Sequence, residues 1–539
     1  MSSSVETSPN EILPQDLPDW MRQAQRRIDW GLPLVLCFTV FSVWMWLLNP
    51  GIATYNASLN HAFRAADTAT ALREGWLYPR WSPHVLGGFG APIPHYTPPG
   101  ASYVVAVVEV LLTDDPISAL RLVVAVSQCL AACAVYGLAT RWSGGAGGML
   151  AALLYVFSPY IGLTAPHILG DLPGVLALAL LPGLLWAANS LLLSHRALDF
   201  TLTALLAVAL AFTEPSYLLA GLPLLIGLAI MQAVTQQRAP WRGGVLLAAI
   251  TLGSLLAAAF WLPALLEYAA ITWYTPPLQP LRYPLTIAGL LTPLQALDAA
   301  NLTPAPALTL GWALAGFTLV GGLGAIAQRR LSYPLMFLGV GVSITLITLL
   351  ALPSSTGLLG IITLCAALVS SAVPRLWWGL SAPLQRLALP GALALVLIGA
   401  LPVWLAPVPL QTTQTVTPLD QLRYEQQGLG TAVLPFGAAL PSTLPPPAQP
   451  DRTLLSSYQF NASDAATDEN YGDNLDNLDK IAPPQLTRSG QINILQQDTH
   501  TARYLLRFDQ PLNNTLQQPV AVTWLTAYFP GWQATLDGV

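Results

Sequence analysis

Residues Ala101 to Leu112 read ASYVVAVVEVLL, and the side on which every later loop falls depends on whether this run crosses a membrane. It is shorter than the roughly 20 apolar residues that a crossing helix needs. Longer apolar stretches lie near 31–48, 117–139, 146–163, 172–193, 198–213, 217–233, 243–265, 305–327, 334–352, 357–373 and 389–407. If 101–112 turns back, the loops carrying Arg141, Arg196, Arg238 with Arg242, Arg329 with Arg330, and Arg375 with Arg386 share a side with Arg22, Arg26 and Arg27. Counted as a span, the run sends all of them to the opposite side. Basic residues collect on the cytoplasmic side of short loops. The arginines therefore predict a cytoplasmic N-terminus, a re-entrant or interfacial helix at 101–112, and about eleven spans of some 20 residues each.

Composition agrees with a membrane setting. Charged residues make up 9% of the 539-residue chain, against roughly 25% in an ordinary soluble domain, and the mean hydropathy is +0.54. The polar first 30 residues and the apolar run behind them have no small-residue cleavage site, so the first span is expected to stay as an anchor. A net charge of -5 offers no basic face and excludes nucleic acid as a partner. Cys37, Cys129, Cys133 and Cys365 all fall in apolar segments without metal-ligand spacing, and they read as packing residues.

In this topology the polar loops share the outer face, and the richest is Tyr55 to Pro99, YNASLNHAFRAADTATALREGWLYPRWSPHVLGGFGAPIPHYTPP. Ala57 to Glu74 has the composition of a helix stopped at Gly75. On it His61, Arg64 and Asp67 are spaced three apart and share one face. Two readings fit that face. One is an amphipathic helix on the membrane surface, its polar side solvated or paired to lipid phosphate. The other is a phosphate or pyrophosphate site, since Arg offers a bidentate fork and both His61 and Arg64 can neutralise a leaving group. The second half of the loop is dense in Pro, Gly and aromatic residues, a rigid but irregular backbone tolerated at membrane depth only when buried in protein or lining a cavity. Trp76, Trp81 and Tyr96 suit an interfacial aromatic belt or a sugar ring.

The runs Asn60-His-Ala-Phe-Arg64, Ala71-Leu-Arg-Glu-Gly75, Leu77-Tyr-Pro-Arg-Trp81, Gly87-Gly-Phe-Gly-Ala-Pro92 and His95-Tyr-Thr-Pro-Pro99 resemble the first outer loop of a bacterial family. Its members are multi-pass proteins labelled "6-pyruvoyl-tetrahydropterin synthase-related membrane protein", relatives of GT-C glycosyltransferases and YfhO-like proteins. The resemblance continues in Ser158-Pro-Tyr160, in Ala259 to Glu267, and in Tyr528-Phe-Pro-Gly-Trp532 with Asp537-Gly538, nearly the whole chain in order. It implies a GT-C-like fold in a bacterial plasma membrane and transfer of a sugar from a polyprenyl-phosphate donor on the outer face. Lipid-linked sugar or lipid phosphate and membrane lipids are the implied partners. Asn56, His61, Arg64, Arg80, Trp81, His95 and Tyr96 become candidate substrate-binding residues.

Relatives usually carry Asp four or five residues before the position of His61, where this chain has Asn56 and Ala57. An amide cannot take a proton, so the base must come from elsewhere. Asp171 opens a span from the outer side, Glu214 sits at an outer turn in Thr213-Glu-Pro-Ser216, Glu267 ends another span, and Asp67 lies on the loop helix. An acid at such depth is costly and points to function, although Asp171 and Glu214 each precede a helical segment, where capping or dipole pairing explains them equally simply. No metal-ligand set and no cofactor are read from the sequence; a divalent metal would suit a phosphate leaving group. The substitution at Asn56 and Ala57 keeps a second expectation open, a non-catalytic member that binds lipid-linked glycan or organises a cell-envelope assembly. A transporter is a third, against which stand the lack of matched repeats and of charges within the spans.

From about Gln411 the composition turns to Gln, Asn, Asp, Thr and Pro. The expected domains are a cytoplasmic tail at 1–30, a transmembrane GT-C-like domain at 31–407 with its outer loop at 50–99, and an extracytoplasmic, mostly β domain at 408–539. Ala502–Phe508, 520–528 and 532–536 alternate like strands of a β-sandwich. The Asp537-Gly538 turn signal, with no returning strand behind it, predicts that the natural chain continues.

Overall fold

The structure is a computed structural model that describes residues 29–48, 51–54, 56–86, 90–235, 241–274, 284–294, 305–328, 332–352, 357–377 and 381–404, and the shorter pieces 412–413, 416–417, 420–421, 424–425, 438–442, 485–486, 490–508, 522–523 and 532–535. The described chain is mostly helical. The principal helices are α1 (Gly31–Leu48), α2 (Ser58–Arg73), α3 (Gly100–Val108), α4 (Pro116–Val156), α5 (Leu172–Ser194), α6 (Ala197–Thr213), α7 (Pro215–Thr235), α8 (Trp241–Leu266), α9 (Trp312–Gln328), α10 (Ser332–Ala351), α11 (Gly357–Ser370) and α12 (Ala382–Gly399). Each apolar stretch of the sequence carries helix, and among the described residues seven helical segments are long and apolar enough to cross a membrane.

Helix boundaries follow local chemistry. Asp115 caps α4 by accepting from the Ser118 N–H at 2.7 Å, with Pro116 at the first turn. Within α4 the backbone breaks at Gly144 (φ 76°, ψ 175°), a conformation that only glycine adopts without strain. The two halves fold back on each other: a Cβ at Gly148 would lie 2.1 Å from Thr140 Oγ1 and 3.0 Å from the Tyr136 carbonyl. Small residues elsewhere let helices approach closely, as where Gly253 lies against the Ala204 carbonyl and Gly321 against that of Val369. The segments Gly357–Leu376 and Leu172–Ser194 are 89% and 78% buried and form the centre, whereas Trp241–Leu266 is 28% buried and turns leucines such as Leu247, Leu255 and Leu265 outward.

Arg141, Arg242 and Arg375 gather at one end of the bundle. Arg141 lies 5.1 Å over the Trp186 ring, Arg242 donates to the Leu192 carbonyl at 3.0 Å, and Arg375 donates to the Trp142 carbonyl. Tyr136, near that end, donates to Asp29 at 2.6 Å and so places the N-terminal segment beside them.

The run 101–112 forms α3 and a π-helical turn, Glu109–Thr113, that ends at Asp114 in the left-handed region. At 1.5 Å per residue, Gly100–Thr113 is about 21 Å long, short of a hydrocarbon core of about 30 Å. It packs chiefly along α2 and also touches α4, α5 and α6. Arg73 bridges Glu109 at 3.2 Å and Asp114 at 2.8 Å at one end of this pair, and Arg64 donates to Thr97 Oγ1 at 2.7 Å at the other. Leu111 and Leu112 remain more than 70% exposed. Helix α2 is itself packed into protein through Leu59, Ala62, Phe63, Ala65 and Ala69, which corrects the expectation of a surface-lying amphipathic helix.

The tail is stitched to the outer loops. Strand β1 (Ile52–Ala53) pairs antiparallel with β3 (Thr412–Thr413), and β2 (Ile271–Tyr274) with β4 (Ala438–Pro441). Further along, β5 (Gln485–Leu486) pairs with β8 (Val522–Thr523), and β6 (Gly490–Gln497) with β7 (Ala502–Phe508). The strand expected at 502–508 is β7. Among the described residues the ladders are all two-stranded, so no sandwich is formed by them. Residues 532–535 carry no regular structure, against the expected strand, and most of 520–528 and all of 536–539 lie outside the described residues.

Candidate functional site

The first outer loop organises two polar clusters, one around the N-terminal half of α2 and one around His95 in the one-turn helix Ile93–Tyr96. The first surrounds the N-terminal half of α2. Asn56 donates from Nδ2 to the His167 carbonyl at 2.9 Å and accepts from the Ser58 N–H at Oδ1, 3.0 Å away. Ala57 N–H donates to the Leu169 carbonyl at 3.0 Å. These bonds fix the start of α2 against Gly170, whose φ of 65° lets the chain turn into α5. Asp171 follows and caps α5, its Oδ1 accepting from the Gly174 N–H at 3.0 Å. Glu214, at the end of α6, lies near enough for its charge to act on Asp171. Burial first, and then the Glu214 charge, push the Asp171 carboxyl up to about 6 against the opposing Gly174 bond. Glu214 accepts from the Ser216 hydroxyl at 2.8 Å.

On the same part of α2 stand His61 and Arg64. Burial, with a smaller contribution from Arg64, lowers the His61 imidazole to about 3, so it is neutral, and its Nδ1 is buried without a hydrogen-bond partner among the described residues. Arg64 is part-buried and hydrogen-bonds the Thr97 hydroxyl; among the described residues no carboxylate pairs with it. Burial lowers the guanidinium to about 10, a direction that records an uncompensated desolvation. Segment 97–100 also reaches α6, since a Cβ on Gly100 would lie 2.9 Å from the Phe212 carbonyl oxygen. The ends of α2, α5 and α6 are thus neighbours, and they bring Asn56, His61, Arg64, Asp171 and Glu214 into one region.

Asp67 falls apart from this group. It is 6% exposed and its Oδ1 meets His84 Nδ1 at 2.8 Å, a pair that joins α2 to the loop behind it.

The second cluster centres on His95, which is fully buried. Its Nδ1 meets the Tyr78 hydroxyl at 3.0 Å and its Nε2 lies 3.2 Å from Glu267 Oε2, which also pairs with Arg80. Burial first and Arg80 second hold the imidazole down to about 4, outweighing Glu267. Burial and the Glu267 charge push the neighbouring Tyr96 hydroxyl up to about 12. Trp81 is 4% exposed and packs edge-on to Trp532, ring centres 5.6 Å apart. Arg80, Trp81, His95 and Tyr96 therefore hold loop, α8 and tail together. Tyr78 completes this cluster and was not singled out in the sequence; Glu267, read there as a carboxylate that ends a span and could stand in as base, is instead engaged here by Arg80 and His95. Among the described residues no group of three or more His, Cys, Asp or Glu side chains is arranged to hold a metal ion.

No family profile and no curated protein matches this chain. Its similarity is to solved structures, at low identity. ArnT from Cupriavidus metallidurans bound to undecaprenyl phosphate aligns with TM-score 0.44 and 14% identity over 70% of this chain and 75% of that one. The Archaeoglobus fulgidus oligosaccharyltransferase in its apo form gives 0.46 and 13% over 86% and 61%. AglB from the same organism, in complex with an inhibitory peptide and a dolichol-phosphate, gives 0.45 and 12% over 86% and 60%. At this distance the chain's own residues decide what its site can do.

Proposed function

We propose that the chain is a GT-C-like membrane glycosyltransferase that takes a sugar from a polyprenyl-phosphate donor at its outer face. One observation carries the reading: Arg64 is a part-buried cation without a carboxylate partner among the described residues. An unpaired buried charge is expensive, and an anionic ligand would relieve it. The guanidinium would fork two phosphate oxygens, and the neutral His61 imidazole would offer one further N–H. In transfer, the bond from the sugar's anomeric carbon to the phosphate oxygen breaks and the acceptor oxygen takes its place. The acceptor proton passes to Asp171, which at about 6 is mostly ionised at neutral pH and still basic enough to receive it. Arg64 meets the charge that develops on the departing phosphate. We read the chain as crossing a bacterial plasma membrane about eleven times, with its N-terminus cytoplasmic and the site and tail outside.

Asn56 favours a second reading, a non-catalytic protein that holds a lipid-linked glycan, because the expected acid is replaced by an amide already committed at both ends. Purified protein supplied with polyprenyl-phosphate sugars separates the two. Transfer that is lost in Asp171→Asn and Glu214→Gln supports the enzyme; no transfer from any donor, with lipid-phosphate binding retained, leaves the second reading.

A further inference from the structure

A cavity of about 380 Å³ lies between the C-terminal end of α2 and the β6–β7 hairpin, with Glu74 and Trp76 on one side and Gln496, Asp498, Thr501 and Arg503 on the other. Its walls are tied together. The Thr499 N–H donates to Glu74 Oε2 at 2.8 Å, and the Arg80 N–H donates to His500 Nε2 at 3.3 Å. The hairpin turn is closed by the Asp498 N–H donating to the Thr501 carbonyl at 2.7 Å. The His500 ring packs 4.7 Å from that of Trp76, which is still 40% exposed.

The lining has the chemistry of a sugar site. An indole offers a flat apolar face to the C–H side of a pyranose, while carboxylate, amide, hydroxyl and guanidinium groups bond its hydroxyls. Glu74 accepts at Oε2, and the bonds to Asp498 from Gln496 and Thr501 both fall on Oδ2. Among the described residues, each carboxylate therefore keeps its other oxygen for a ligand. Among the described residues Arg503 forms no ion pair. Two carboxylates against one guanidinium disfavour a phosphate, and the volume falls within the roughly 300–1,000 Å³ of small-molecule pockets. We propose that this cavity binds a short neutral glycan, through Trp76 as the stacking platform and Glu74, Asp498 and Arg503 as hydroxyl partners. The proposal stands on these residues and goes beyond the phosphate site at Arg64.

The full chain, in detergent, is titrated with trisaccharides of glucose and of N-acetylglucosamine, by calorimetry and by tryptophan fluorescence. Wild-type binding at millimolar or lower concentration, weakened at least tenfold in Trp76→Ala and several-fold in Asp498→Asn and Arg503→Ala, is the expected result. Trp76→Ala removes the ring contact with His500, so Arg503→Ala, at an exposed position, carries the test if that variant fails to fold. No binding by the wild type, or binding by Trp76→Ala and Arg503→Ala as tight as wild type, overturns the proposal. These trisaccharides carry neither phosphate nor lipid, so their failure leaves the Arg64 reading intact, and failure of lipid-phosphate binding leaves this one intact.

Discussion

Asn56 and His167 meet across 111 residues of sequence, the amide Nδ2 donating to the backbone carbonyl at 2.9 Å. The same side chain accepts from the Ser58 N–H. The position therefore needs a donor and an acceptor at once, which a carboxylate cannot supply at neutral pH.

Asn56→Asp accordingly installs no working base. It loses the bond to His167, sets a negative charge against a carbonyl, and is expected to lower stability by about 1–3 kcal/mol. Thermal unfolding checks the loss, and a gain in sugar transfer would contradict the structural role. Gly170→Ala should be at least as damaging, since its Cβ would fall 2.5 Å from the Ser58 nitrogen at a φ of 65°.

Arg64→Ala should weaken binding of a polyprenyl phosphate at least tenfold, roughly 1.4 kcal/mol. Arg64→Lys should recover only part of it, since an ammonium keeps the charge and loses the fork. A binding assay with the lipid phosphate alone decides this, and equal affinity in all three proteins would remove Arg64 from the site.

Asp171→Asn keeps the cap on α5, because Asn caps helices as well as Asp does. The folded carboxyl is raised to about 6 from an ordinary value near 3.8. The folded protein holds the proton more tightly, so the stability linked to this group is complete below about pH 4 and declines as pH rises through 6. Unfolding measured between pH 4 and 7 should show the variant without that decline. If Asp171 is the base, wild-type kcat/KM climbs with a midpoint near 6, and the variant loses the climb together with most of its activity.

His95 behaves in the opposite sense. Its folded value, about 4, lies below the usual 6.5. Stability linked to it is complete above 6.5 and is lost as pH falls toward 4, when a proton is forced into a buried ring beside Arg80. His95→Gln should flatten that acid loss in thermal melts. Glu267→Gln should cost about 1–3 kcal/mol by leaving Arg80 without its counter-ion in a part-buried setting. Proteolysis of the tail should quicken in the same variant, because Arg80 also meets His500 through its backbone.

Local features were legible in the chain. Helix Ser58–Arg73 stands where Ala, Leu and charged residues ended at Gly75, which takes a φ of 89°, and Ala502–Phe508 is the strand its alternation predicted. Contacts between distant segments were not. The ion pair of Arg80 with Glu267 spans 187 residues, and the hydrogen bond of Asp67 with His84 removes from the α2 face an acid that shared the helical spacing of Arg64. Periodicity assigns a residue to a face without naming what packs there.

The sequence by itself determined the solvent and the gross arrangement. An apolar chain with so little charge can satisfy its backbone in lipid only through helices, and three of the arginines that it confines to some loops, Arg141, Arg242 and Arg375, meet at one end of the bundle. Only the tertiary structure decided which polar residues have partners. Asp67 is hydrogen-bonded to His84, Arg80 is paired with Glu267, Asn56 is bound at both ends, and Arg64 keeps a charge that no described carboxylate balances. Burial and distance set those differences, and neither is written in the spacing of residues along the chain.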